Sequence, residues 1–139
     1  MAKALLFGGN STAQTITGGG IVNLGSAIHG FGCTCCQKTI DLTSGEIVLR
    51  DGGYYDVVIS AVVTNSEAGD VTLTLYQDGV ASAVITGSEA IAAAAAPASI
   101  TISGAVLVHR CGSSTLTVVV TASAGNPTIN SISETVVKL

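Results

Sequence analysis

The sequence predicts an all-β domain of the sandwich, jelly-roll or barrel kind, on three observations. Apolar and polar residues alternate with a period of two along most of the chain, as in strands with one buried face. Turn residues recur about every eight to twelve positions, a spacing typical of short antiparallel strands. No segment shows a convincing helical period. The 139 residues give room for one domain, spanning residues 1–139, because domains commonly have about 100 to 150 residues.

The first third of the chain is the least regular part. Short apolar runs are separated by glycine clusters and by a cysteine-bearing loop. They predict strands at residues 4–7, 13–17, 21–24, 39–42 and 46–49.

The rest of the chain alternates more strictly. Asp78-Gly79 between two alternating runs predicts a tight hairpin turn, and Gly104 predicts a bulge or a close approach of another strand. Tyr54 and Tyr55 fall on opposite faces of one strand, so one belongs to the core and the other to the outer surface or an interface. Strands are predicted at residues 54–64, 71–76, 80–86, 100–111, 115–122 and 128–139, about ten in the whole chain.

Residues 90–98 are rich in alanine, the best helix former, but Pro97 would end so short a helix. We predict a loop there with at most one helical turn.

The composition argues against several classes of protein. Charged residues make up 10% of the chain, where about 25% is usual, and the net charge is -4 with only five lysines and arginines. We therefore expect no nucleic-acid binding, which needs a basic surface. No apolar run is long enough to span a bilayer or to form the core of a signal peptide, so we expect neither membrane insertion nor export. So few charges cannot cover the surface, which favours burial of part of it in an assembly.

Two stretches resemble a known family. The runs GYYDVVISA at 53–61 and VTLTLYQDGV at 71–80 resemble the core of the tumour-necrosis-factor-like and complement-globular-head-like jelly rolls. The resemblance implies an antiparallel jelly-roll β-sandwich that forms a tight homotrimer. The inner sheet faces would pack around a threefold axis, and the residues expected to pack there are Tyr54, Tyr76, Val119, Ile132 and Val136.

The ends of the chain carry a second resemblance. The opening MAKALLF, the segment VNLG at 22–25 and the close VVKL look like small jelly-roll structural proteins encoded by phages and prophages of Gram-positive gut bacteria. This implies a virion structural protein, assembled in the bacterial cytoplasm, that serves as a capsid decoration, a head fibre or a tail-associated component. Its partners would be copies of itself and other virion proteins.

Two other functions stay open. The chain could be a receptor- or carbohydrate-binding head, although it has no Trp and few other aromatic residues for a glycan platform. It could also be a bacterial surface or spore-coat protein of the same fold. Enzyme activity is not expected, because the sequence has no Gly-x-Ser-x-Gly elbow and only two histidines for acid-base chemistry.

One group of residues could bind a metal. Imidazole and thiolate are the ligands that zinc prefers, but Cys-x-Cys-Cys differs from the usual Cys-x2-Cys spacing. The favoured interpretation is reduced cysteines buried as small hydrophobic residues, so no cofactor is expected. A structural zinc site and a disulfide to Cys111 stay open as alternatives. The candidate metal ligands are His29, Cys33, Cys35, Cys36, His109 and Cys111.

Overall fold

A computed structural model describes residues 4–31, 33–34 and 37–139, except for the side chains of residues 29–38. Within those residues every regular element is a β-strand. No helix in this part of the chain is long and apolar enough to cross a membrane. The strands are β1 (Leu5–Asn10), β2 (Gln14–Thr15), β3 (Gly20–Val22), β4 (Ser26–Phe31), β5 (Cys33–Thr34), β6 (Gln37–Lys38), β7 (Ile40–Thr43), β8 (Glu46–Leu49), β9 (Gly53–Asn65), β10 (Gly69–Gln77), β11 (Val80–Ile91), β12 (Ala98–Val108), β13 (Ser114–Ala122) and β14 (Pro127–Lys138).

The longer strands form two antiparallel sheets that pack face to face. The first sheet has the order β12-β9-β14-β1-β4, with β2 beside β14. The second sheet has the order β11-β10-β13-β8-β7, with β3 beside β13, and β5 and β6 form a separate hairpin. The predicted all-β sandwich is therefore confirmed.

The core lies between the sheets and follows from the period-two pattern. In β9 the side chains of Tyr55, Val57 and Ile59 are fully buried, while their neighbours face outward. Tyr54 is exposed and Tyr55 is buried, as their opposite faces predict. Strands β10 and β13 of the second sheet supply many of the facing apolar side chains, and one contiguous core joins both sheets.

Two predicted turn and glycine positions are confirmed. Asp78 and Gly79 both have positive φ, 52° and 81°, and join β10 to β11 as the two-residue loop of a hairpin. Gly104 on β12 lies against Ile85 of β11, which is a close approach between the two sheets.

Three features differ from the sequence-based expectation. Ser26–Phe31 forms edge strand β4, where only a loop was predicted. Strand β12 ends at Val108, so it does not reach His109 and Cys111. The predicted loop at residues 90–98 is shorter than expected, because β11 continues to Ile91 and β12 begins at Ala98. A backbone hydrogen bond from Ala96 to Ala93 makes a single turn between them.

Candidate subunit interface

The outward-facing side of the first sheet, here called the outer face, carries most of the large exposed apolar side chains of the strands. Antiparallel pairing sets them in rows: Tyr54 lies opposite Leu107, and Thr135 lies between Val58 and Phe7. Each apolar side chain is between 37% and 58% exposed. Scattered exposed apolar residues are ordinary, but a continuous group marks an interaction surface. The group consists of Phe7, Tyr54, Val58, Val62 and Leu107.

The middle of the outer face is a depression lined by small residues. One transverse row runs from Thr101 through Ser60 and Ser133 to Gly9, and the hydroxyls of Ser60 and Thr101 are hydrogen-bonded at 3.0 Å. Because none of these side chains is large, the row lies below its apolar neighbours. The depression has a volume of about 610 Å³ and also contacts Val62. It can accept a protruding group from a partner.

The outer face is almost free of charge. Among its described residues, only Asp56 is charged at neutral pH. The outward side of the second sheet differs, since it has hydroxyl pairs between β10 and β11 and an ion pair between Arg50 and Asp41 at 3.2 Å. Desolvation on association therefore costs less on the outer face than on the opposite side of the molecule.

A second surface of similar character is the edge formed by β11. Eight of its twelve residues are exposed, and Glu89 is the only charged residue within the strand. Val84, at 81% exposure, projects from this edge. Monomeric proteins usually protect such an edge with charges, proline or a covering loop. Apart from Glu89 and one irregularity in its pairing with β10, β11 has none of these within its own sequence, so the edge is suited to contact with another chain.

The structure places the predicted interface residues at three different locations. Tyr54 lies on the outer face. Tyr76 and Val119 are half-buried and lie on the outward side of the second sheet. Ile132 and Val136 lie in the core of the chain, 3% and 0% exposed, and their predicted role between subunits is wrong because they have almost no surface to offer.

A shift in strand register explains the error at Ile132 and Val136. The pairing of β14 with β9 shifts between Ile129 and Ser131, which reverses the alternation of faces along β14. Four residues of the exposed apolar group were not predicted from the sequence: Phe7, Val58, Val62 and Leu107. The sequence of β9 does indicate a second apolar face, because Val58 and Val62 lie on the side opposite to the buried Val57 and Val63.

The His and Cys candidates are not brought together in the described part of the chain. His109 and Cys111 lie in the turn after β12 rather than on one strand face, and Cys111 has a φ of 62°. Cys111 is exposed, so its expected burial is wrong. The side chains of His29, Cys33, Cys35 and Cys36 lie outside the described residues. Among the described residues no three His, Cys, Asp or Glu side chains are placed to hold a metal ion.

One end of the sandwich is held by a polar cluster. The Tyr55 hydroxyl donates a 2.6 Å hydrogen bond to the Asp51 carbonyl oxygen, and the Asp51 carboxylate pairs with the Lys138 ammonium. Burial, with a further contribution from the Asp51 charge, raises the pKa of Tyr55. The cluster attaches the turn before β9 to the end of β14, and it thereby stabilises the outer face at this end of the sandwich.

The fold can be compared with known structures. No protein-family model and no curated protein matches the sequence. The Eiger TNF structure from S. frugiperda is similar with a TM-score of 0.69 and 14% identity, covering 98% of this chain and 91% of that one. Murine APRIL at pH 5.0 has a TM-score of 0.68 and 14% identity, covering 99% of this chain and all of that one. A second murine APRIL structure, at pH 8.5, has a TM-score of 0.63. The chain therefore has the jelly-roll fold of TNF-like proteins.

Proposed function

We propose that this chain is a non-enzymatic structural subunit that forms a homotrimer through its outer face and serves on a phage particle. The observation that carries the trimer is the nearly uncharged outer face with its exposed apolar group and central depression. A surface of this kind is costly to leave in water and is suited to burial against a second copy.

A closed ring needs two different surfaces on each chain, because each subunit contacts one neighbour with one surface and the next neighbour with the other. The outer face supplies one surface. The exposed edge of β11, with Val84 projecting from it, supplies the second. Both surfaces are poor in charge, with Asp56 on one and Glu89 on the other, so few charged groups are desolvated when they meet. The trimer itself is what the resemblance to TNF-like jelly rolls implies.

The place on the particle follows from the resemblance to phage structural proteins in the opening and closing segments of the sequence. A decoration protein, a head fibre or a tail-associated component must be a stable unit rather than a catalyst. The low content of charged residues supports a subunit whose surface is partly covered by neighbours.

The trimer can be tested by native mass spectrometry together with sedimentation. The expected mass is about 41 kDa, three times the 13.7 kDa of one chain. Val58→Glu places a charge in the middle of the outer face and should yield monomers with an unchanged circular dichroism spectrum. Ile21→Glu is the control, since Ile21 is also exposed but lies beside β13 of the second sheet, and it should stay trimeric. A wild-type monomer would contradict the trimer and favour the binding-head function.

The virion role needs a separate experiment. Particles from a phage or prophage that encodes the chain should contain it after density-gradient purification, in a copy number divisible by three. Recovery of the chain only in the particle-free fraction would contradict the role even if the protein is trimeric, and would favour the surface or spore-coat function.

A further inference from the structure

One buried carboxyl group is not used by the proposed interface. Glu134 lies on β14 with its side chain inside the sandwich, and it is only 1% exposed. Among the described residues, neither of its carboxyl oxygens has a hydrogen-bond partner. An unpaired buried carboxylate is very costly, so the protein has to satisfy this group in another way.

The space beside Glu134 is left by a glycine. Gly8 on β1 is paired with Glu134, and a Cβ on Gly8 would lie 2.8 Å from Glu134 Oε1 and 3.1 Å from the backbone carbonyl oxygen of Ser26. The two oxygens therefore line the same small space, which also contacts Leu42 of β7. Two acceptors facing one another across such a space repel each other when the carboxyl is ionised, but a neutral carboxyl can donate to the carbonyl.

No described charge compensates Glu134. The inward-facing residues of the neighbouring strands are apolar or glycine, apart from Tyr55 and Asn65 of β9 and Ser114 of β13, none of which is charged. The Tyr55 hydroxyl donates to the Asp51 carbonyl oxygen, the Asn65 amide donates to the carbonyl oxygens of Glu67 and Ala124, and the Ser114 hydroxyl donates to the Asp78 carboxylate. Asp41 of β7 forms its ion pair with Arg50 on the other side of that strand. His29, further along β4, pairs with Phe7 through its backbone.

We propose that the protonated carboxyl group of Glu134 donates a hydrogen bond to the Ser26 carbonyl oxygen. This hydrogen bond, here called the clasp, holds edge strand β4 onto β1 and β14. Loss of the proton to alkaline solvent breaks this bond and loosens the corner of the sandwich at β4. The clasp lies within one chain, so it does not depend on the proposed trimer or on the virion role.

The protonation state agrees with this geometry. Burial raises the pKa of Glu134 from 4.5 to about 8, so the group is neutral at pH 7 in the folded chain. Because the folded state holds the proton more tightly than the unfolded state, the contribution of Glu134 to the free energy of unfolding is greatest below about pH 4.5. It falls as the pH rises towards 8 and levels off above that value. The hydrogen bond itself is lost near pH 8, where the folded chain releases the proton.

Three variants distinguish the proposed hydrogen bond of Glu134 from the effect of burying its carboxyl group alone. Glu134→Gln keeps a neutral donor at every pH, Glu134→Leu removes both donor and charge, and Glu67→Gln changes an exposed glutamate of the loop between β9 and β10 as the control. Relative to Glu134→Gln, the unfolding equilibrium constant of the wild type should rise by up to about tenfold per pH unit between pH 5 and 8. The control should retain the pH dependence of the wild type.

Hydrogen exchange at residues 26–28 tests the clasp directly, with protection factors corrected for the effect of pH on intrinsic exchange. Wild type should protect these amides at pH 6.5 and lose at least tenfold of that protection at pH 9.5. Glu134→Gln should protect them at both values, and Glu134→Leu at neither. Equal pH dependence of wild type and Glu134→Gln would overturn the proposal. Full protection in Glu134→Leu, or a transition of the wild type centred near pH 6.5, as expected for a histidine, would also overturn it.

Discussion

Gly104 of β12 and Ile85 of β11 are in contact where the edges of the two sheets meet. A Cβ added to Gly104 would lie 2.6 Å from Ile85 Cγ1 and 2.9 Å from Ile85 Cδ1. Ile85 is 2% exposed, so the added methyl group forces a buried side chain of the core to shift. Gly104→Ala should therefore destabilise the chain by about 1 to 3 kcal/mol, the usual cost of overpacking a core. Urea denaturation measures the change, with Ser103→Ala on the exposed face of β12 as the control.

A double variant shows whether this contact is the cause. Ile85→Ala alone should cost about 2 to 5 kcal/mol, because it leaves a cavity. In that background Gly104→Ala should cost nothing or stabilise slightly, since the added methyl group enters the space left by Ile85 and reduces the entropy of the unfolded chain. Additive costs would show that the strain at Gly104 has another source.

The hydroxyl group of Tyr55 offers a prediction with a matched control in the next residue. Tyr55 is buried and its hydroxyl donates to the Asp51 carbonyl oxygen, whereas Tyr54 is exposed on the other face of the strand. Tyr55→Phe should lower the free energy of unfolding by about 1 kcal/mol, because it removes a hydrogen bond from a largely buried site. Tyr54→Phe should change it by less than about 0.5 kcal/mol, as is usual at exposed positions. Equal losses in the two variants would contradict the structural role of the Asp51 hydrogen bond.

The sequence predicted the fold well where each strand could be judged on its own. Strand β8 has the predicted bounds, and the Asp78-Gly79 hairpin and the two faces of Tyr54 and Tyr55 follow from local pattern alone. Strand β4 was missed because its short run contains small residues and leads into a cysteine-rich segment without a clear apolar alternation.

The site was harder to predict, since it depends on register. After the shift between Ile129 and Ser131, the even-numbered residues of β14 point inward. An uninterrupted alternation would put Ile132 and Val136 outside, and it would put Glu134 outside too, where a charged residue is expected. The exposed group on the outer face is drawn from three strands that are far apart in the sequence, so only the sheet order brings it together.

The exposed turn after β12 predicts a reactive thiol. Cys111 is exposed, in contrast to the buried role first expected for it. Iodoacetamide should modify Cys111 in the folded protein within the time that free cysteine requires. Cys111→Ser should change the free energy of unfolding by less than about 0.5 kcal/mol. The same reaction after loading with zinc and after chelation tests the metal hypothesis: protection that the chelator removes would place Cys111 in a metal site, and no protection would exclude it from one.

The character of the outer face predicts how the trimer responds to salt. Among its described residues only Asp56 is charged at neutral pH, and it lies next to the exposed apolar group that contains Phe7 and Val58. At 1 M NaCl charges are screened beyond about 3 Å, whereas apolar association is not weakened. The dissociation constant of the trimer should therefore be unchanged or lower at 1 M than at 0.1 M NaCl in sedimentation equilibrium. Weaker association at high salt would instead assign the contact to a charged surface, such as the side of the second sheet that carries Arg50 and Asp41.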